Sequence, residues 1–212
     1  KEANFIQKFG RAFVRGDAFT KLSLLVWGLG YIGHGQLIKA LLVTLVQGLG
    51  LYFLGTSGIP ALKKLGTLGT VQMEMQFNPV TLKNEVNNYD NSFAILLLSV
   101  IAMVIIVSLV VAAMMVVQSN YLLQQQKATG KKPNSFRQDI NCYLNEKFYV
   151  TLLTLPVLGV VVFTIVPLFI LIAVAFTNYD QQHMPPAALF TWVGLANFAS
   201  LFGGQSLSMT FS

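Results

Sequence analysis

The sequence predicts an all-α integral membrane protein with at least three transmembrane helices, amphipathic surface helices and a cytoplasmic N-terminus. Two observations carry that prediction. Of 212 residues, 54% are hydrophobic and 10% are charged, with a mean hydropathy of +0.62, whereas soluble domains average roughly 25% charged residues. So few charges do not cover a globular surface. The apolar residues also fall in long blocks, and crossing about 30 Å of hydrocarbon takes about 20 of them in a row.

Residues 1–21 form an interfacial tail. Phe5, Ile6, Phe9 and Phe13 recur at helical spacing with Lys8, Arg11 and Arg15 largely elsewhere on the wheel, as suits a helix lying on an anionic leaflet. Residues 22–36, LSLLVWGLGYIGHGQ, hold four glycines between Gly28 and Gly35. This piece is too short and too broken to cross alone, and is expected to lie on the surface or re-enter. The first span follows at 37–54, LIKALLVTLVQGLGLYFL. Lys39 sits near its cytoplasmic end, where its stem can snorkel toward headgroups; a buried functional lysine is the sharper reading.

An outer loop covers 55–92. The second span, 93–117, contains no charge. A cytoplasmic loop follows at 118–148, in which Gly130 and Pro133 break the chain. Ser135 then offers an N-cap with Gln138 three residues on, and Phe136, Ile140, Tyr143 and Leu144 share one apolar face. That helix either feeds the third span or docks a partner. The third span, 149–176, is uncharged and carries Pro156 and Pro167; Pro167, well inside it, should kink it. The remaining segment, 177–212, is external.

Charge fixes the orientation. The tail 1–21 holds five Lys/Arg against Glu2 and Asp17, and 119–147 holds Lys127, Lys131, Lys132, Arg137 and Lys147 against Asp139 and Glu146. The loop 55–92 is balanced, and no Lys or Arg follows residue 176. Basic loops face the cytoplasm, so the net charge of +6 needs no nucleic-acid partner.

The residues offer little reaction chemistry. Cys142 is the single cysteine, so no internal disulfide forms. His34 and His183 lie on opposite sides of the membrane without ligands at metal spacing, and His34 is expected to face headgroups. No phosphate-cradling G-x-x-x-x-G-K-[ST] loop is present, no nucleophile motif is seen, and the acidic residues lie outside the spans. No catalytic residue, metal site or cofactor is expected.

The chain carries a further motif, TWVGLANFASLF at 191–202, after the span exit VPLFILIAVAFTNYD at 166–180. Together these resemble the first block of permease subunits of carbohydrate ABC importers, a Pro-containing span followed by W-x-G-x-x-N-F, matched here by Trp192, Gly194, Asn197 and Phe198. Three patches narrow the resemblance to the MalF-like subunit of maltose/maltodextrin-type importers in its Gram-positive form: LSLLVWGLGYIGHGQLIKALL at 22–42, LGTLGT at 65–70 and YDNSFAILL at 89–97. The resemblance implies a subunit of an ATP-driven oligosaccharide importer in the bacterial cell membrane. Its implied partners are a second permease subunit, a pair of cytoplasmic ATPases and an extracellular sugar-binding protein, besides membrane lipid. It also implies that the core transport domain and the sugar-contacting residues lie beyond Ser212, the chain being the N-terminal portion of a longer permease.

Trp192 and Phe198 suit an outer aromatic belt, Gly194 a tight backbone, and Asn197 a cap or turn. The motif is either a structural elbow or a contact for the binding protein. A non-transporting scaffold or assembly subunit complete at 212 residues fits the bare physics equally well; a membrane-embedded enzyme lacks its residues.

Overall fold

A computed structural model describes residues 4–202. In chain order its elements are α1 (Phe5–Arg15), α2 (Ala18–Leu22), α3 (Trp27–Gly33), α4 (Leu37–Phe53), α5 (Ile59–Lys64), β1 (Met75–Asn78), β2 (Lys83–Val86), α6 (Ser92–Ala128), α7 (Phe136–Leu144), α8 (Phe148–Val160), α9 (Val166–Val174) and α10 (Ala196–Phe202). A π-helical turn, Leu54–Gly58, joins α4 to α5, and a second, Val161–Ile165, joins α8 to α9. Among the described residues three continuous helices are long and apolar enough to cross a membrane: Leu37–Lys64, Ser92–Ala128 and Phe148–Val174.

Their bounds differ from the sequence reading in instructive ways. The first helix does not stop at residue 54. Leu54–Gly58 carries no charge, and the π-helical turn it forms lets the helix run on past Pro60, which lacks a backbone N–H, to Lys64. At about 1.5 Å per residue, α6 reaches roughly 55 Å and overshoots the hydrocarbon layer. Its polar end, Gln118–Ala128, occupies ground assigned to a loop, because nothing there breaks a helix before Gly130. The third helix takes up Pro167 through the π-helical turn immediately before it, which absorbs the missing hydrogen bond. The loop between the first two long helices holds the antiparallel hairpin β1–β2, with Met75 opposite Val86 and Asn78 opposite Lys83.

Two compact units share the chain: residues 1–54 with 104–158, and residues 55–103 with 159–212; residues 203–212, the end of the segment the sequence assigns to the outside, lie outside the described residues. In the first unit Trp27, Tyr31, Ala40, Val116 and Leu123 are buried together, with Val43, Leu109, Ala112 and Ala113 packed on them. The glycine-rich segment thus packs through Trp27 and Tyr31 on α4 and α6. Gly30 shows why glycine is needed there, since an added Cβ would lie 2.4 Å from Asn120 Nδ2. In the same unit α7 is capped as its sequence signalled: Ser135 N–H donates to Gln138 Oε1 at 2.8 Å and Gln138 N–H to Ser135 Oγ at 3.4 Å.

The second unit is built on Leu68, Ile95, Leu96, Val100, Ile170 and Phe190. Leu68 is fully buried and adopts φ of +56°. That is a strained conformation for a residue with a side chain, held because it turns Leu68 into this core.

Candidate functional site

The W-x-G-x-x-N-F motif lies wholly within the second unit, where it folds back on the end of α9. Thr177 closes that helix, its hydroxyl donating to Val174 C=O at 2.7 Å. Thr177 then pairs with Trp192 in a single antiparallel bridge. Asn178 N–H donates to Thr191 C=O at 3.1 Å, and Thr191 N–H returns to Asn178 Oδ1 at 2.6 Å.

Carbonyls at a helix C-terminus have no partner within the helix and must find one elsewhere. Here three consecutive carbonyls are satisfied by the motif. Asn197 Nδ2 donates to Ala175 C=O at 2.9 Å and to Thr177 C=O at 2.7 Å. Between them, Phe176 C=O accepts from Val193 N–H at 2.9 Å and Gly194 N–H at 3.1 Å. Gly194 has φ of +60°, the left-handed region a glycine enters freely, and this turn redirects the chain into α10. The Phe198 ring meets Phe176 with centroids 5.3 Å apart.

The same stretch reaches two other helix ends. Trp192 Nε1 donates to Leu65 C=O at 2.7 Å, just past α5. Phe190 is fully buried, lies edge-on to Tyr179 at 5.4 Å, and donates its N–H to the buried Ser92 Oγ at 3.2 Å, at the start of α6. Beside them Asp90 accepts from Lys64 Nζ at 2.5 Å and from the Thr70 and Val71 amides at 3.0 and 3.3 Å. The Lys64 ammonium, then the backbone donors, hold the Asp90 carboxyl below the usual range despite its burial. All four motif residues are thus brought together. Leu65, Asp90 and Ser92 join them although sequence reasoning gave them no role; their neighbourhood was signalled only as the patches LGTLGT and YDNSFAILL.

Replacing Trp192 by Phe keeps a ring and deletes the indole N–H. The expected result is a loss of about 1 kcal/mol, seen as a small drop in the melting midpoint of detergent-solubilised protein. Trp192→Ala should cost several times more.

In the first unit two expectations change. His34 does not face headgroups: it is 5% exposed, with Nε2 lying 4.0 Å from Asp17 Oδ2. Burial pushes its pKa below the ordinary 6.5, against the opposing pull of Asp17. Lys39 neither snorkels free nor stands alone, but pairs with Asp139 of α7 and donates to Asn134 C=O at 3.2 Å. The lysine thereby anchors α7 within the unit.

A histidine held neutral by folding stabilises fully above its unfolded pKa, and its contribution declines as pH falls below it, because the unfolded state then takes up the proton first. The melting midpoint should therefore fall as pH drops below 6.5. His34→Gln should flatten that slope in a pH series of thermal melts.

His183 sits 2.8 Å from Asp180 Oδ1, an exposed pair that sequence spacing did not flag. No group of three or more metal-ligating side chains occurs among the described residues.

Over 185 residues the chain is 32% identical to the maltodextrin transport system permease protein MdxF of Bacillus subtilis (strain 168), an alignment covering 87% of this chain and 39% of that protein. It is 28% identical to the galactooligosaccharides transport system permease protein GanP of the same organism, covering 81% of this chain and 42% of GanP. The maltodextrin transport system permease protein MalC of Streptococcus pneumoniae is 37% identical over 67 residues, 31% of this chain and 15% of MalC. The chain thus spans about two fifths of the length of the first two relatives. No family model matches the chain, and no solved structure matches it.

Proposed function

We propose, from homology to sugar-transport permeases over most of the chain, that this protein serves as a permease subunit of an ATP-driven oligosaccharide importer. The observation that carries the reading is the 32% identity to a maltodextrin permease across 87% of the chain. Its three apolar helices agree with a multi-pass membrane location. Maltodextrin is the favoured cargo. The protein forms part of the pathway with a second permease subunit and receives sugar from an external binding protein. Separate cytoplasmic ATPase subunits hydrolyse the ATP, and the chain itself catalyses no reaction.

In this reading the N-terminus and α7 face the cytoplasm, and the hairpin and the W-x-G-x-x-N-F motif face outward. Charge asymmetry supports that orientation. The motif acts as an elbow that fixes the outer helix ends. What favours an elbow over a docking contact is that the indole N–H and the Asn197 amide are already spent on Leu65, Ala175 and Thr177.

The test is affinity purification of the full-length protein from its native membrane. A second permease and an ATPase pair should accompany it; their absence under conditions that preserve membrane complexes sinks the reading. Orientation is checked in a Cys142→Ser background. An impermeant maleimide should label Val80→Cys, 89% exposed in the hairpin, on intact cells whose envelope admits the reagent to the outer membrane face, and Lys132→Cys only after permeabilisation.

A further inference from the structure

The polar end of α6 and the tail helix α1 enclose a feature that transport does not use. Gln118 Nε2 donates to Phe5 C=O at 3.3 Å, and Gln124 Oε1 accepts from Asp17 N–H at 3.0 Å. The helix α1 is thus tied to α6 near both of its ends, and Ala12 is buried beneath it. Between these ties opens a cleft of about 290 Å³, lined by Lys8, Arg11, Arg15, Gln118, Tyr121 and Gln125 among others. The three cations are exposed. Among the described residues no carboxylate lines the cleft and none is paired with these cations.

Such a set carries the donors that a phosphate accepts from. Arginine offers a planar fork of donors, and the tyrosine hydroxyl and glutamine amides add neutral ones. Its depth is informative too. Gln118 is the first polar residue after the uncharged run 93–117, and Gln118 to Gln125 spans roughly 10 Å of helix rise, enough to cross the headgroup layer of about 5–8 Å beside the hydrocarbon.

One turn toward the hydrocarbon, the same two helices border a second hollow of about 430 Å³. Phe9 lines it from α1, Leu51 from α4, and Leu109, Val110 and Met114 from α6. The two hollows share α1 and α6 as walls, with Lys8 of the cleft next in sequence to Phe9 of the groove, so a cationic set and a groove that is apolar apart from Gln47 lie within reach of one amphiphile.

We propose that the two hollows hold a single anionic phospholipid, its phosphodiester among Lys8, Arg11 and Arg15 and one acyl chain along Leu109–Met114. This differs from general attraction of a basic helix to an anionic leaflet, because it is a site with a fixed stoichiometry of one. It deepens the membrane reading and does not depend on which sugar is carried.

The full-length protein, purified in mild detergent, is incubated with phosphatidylglycerol or with phosphatidylcholine of the same acyl chains, and bound lipid is counted by native mass spectrometry. One phosphatidylglycerol should be retained well above phosphatidylcholine. Arg11→Gln with Arg15→Gln should lower retention about fivefold per cation removed, whereas Arg11→Lys with Arg15→Lys should keep most of it and so report on folding. Filling the groove by Ala113→Phe should weaken retention without touching a charge, and excess inorganic phosphate should not displace the lipid. Equal retention of both lipids, or retention indifferent to the Gln pair, overturns the proposal. Phosphate that displaces the lipid, and binds just as well to the Ala113→Phe protein, reassigns the cleft to a free anion and also overturns it.

Discussion

Replacing Phe190 by Ala is expected to cost about 3–5 kcal/mol, the range for emptying a buried aromatic site. Phe190 is fully buried among Leu68, Leu96 and Ile170, with Tyr179 edge-on at 5.4 Å. Truncation leaves a void at a fully buried position, so surrounding side chains must collapse or lose their contacts. A chain of this size loses roughly 2–4 °C of melting midpoint per kcal/mol, so fluorescence-detected size exclusion after heating should show a drop of about 10 °C. Phe190→Leu, which fills most of the space, should lose far less. The Phe190 backbone bond to Ser92 survives both changes, so the difference between the two variants isolates packing. Equal melting of the Ala variant and the parent would mean that this residue does not hold the start of α6 and the end of α9 together.

Asp90→Ala is the second large effect, expected at about 2–3 kcal/mol for loss of a charge-assisted hydrogen-bond set. Its carboxylate joins the end of α5, through Lys64, to the loop at Thr70 and Val71. That loop holds Leu68 in its strained φ of +56°, so the substitution should also release Leu68 from the core. Hydrogen exchange at residues 65–71 should rise more than elsewhere. The pH dependence has a definite sign. The folded carboxyl titrates below its ordinary 3.8, so its stabilisation is complete above that value and is lost as pH falls through the folded pKa. Asp90→Asn should remove that acid-side decline while leaving behaviour at neutral pH closer to the parent than Ala does.

What the sequence discloses here, and what it hides, divides by distance along the chain. The spans were legible because an uncharged run such as 93–117 has one physical solution in lipid. The cap of α7 was legible because Ser135 and Gln138 signal it three residues apart. Helix ends were less so: nothing in Thr56–Ser57–Gly58 says whether polar residues will stop a helix or ride through it as a π-helical turn. The motif residues could be named, and Asn197 could be read as a cap, since Asn at a turn is a local signal. Their partners could not. Leu65 is a bare carbonyl 127 residues before Trp192, and a backbone acceptor leaves no mark in composition. The burial of His34 was hidden too, since its approach to Asp17, 17 residues earlier, leaves no mark in its glycine neighbours.

The proposed role of the chain is oligosaccharide import. Uptake of radiolabelled maltodextrin by cells deleted for the encoding gene tests it most directly. Uptake should be lost, and restored by the full-length gene and by the Trp192→Phe variant, but poorly by Phe190→Ala because less protein reaches the membrane. Uptake of maltodextrins and galactooligosaccharides that is unchanged by the deletion, from cells shown to make the protein beforehand, would contradict it.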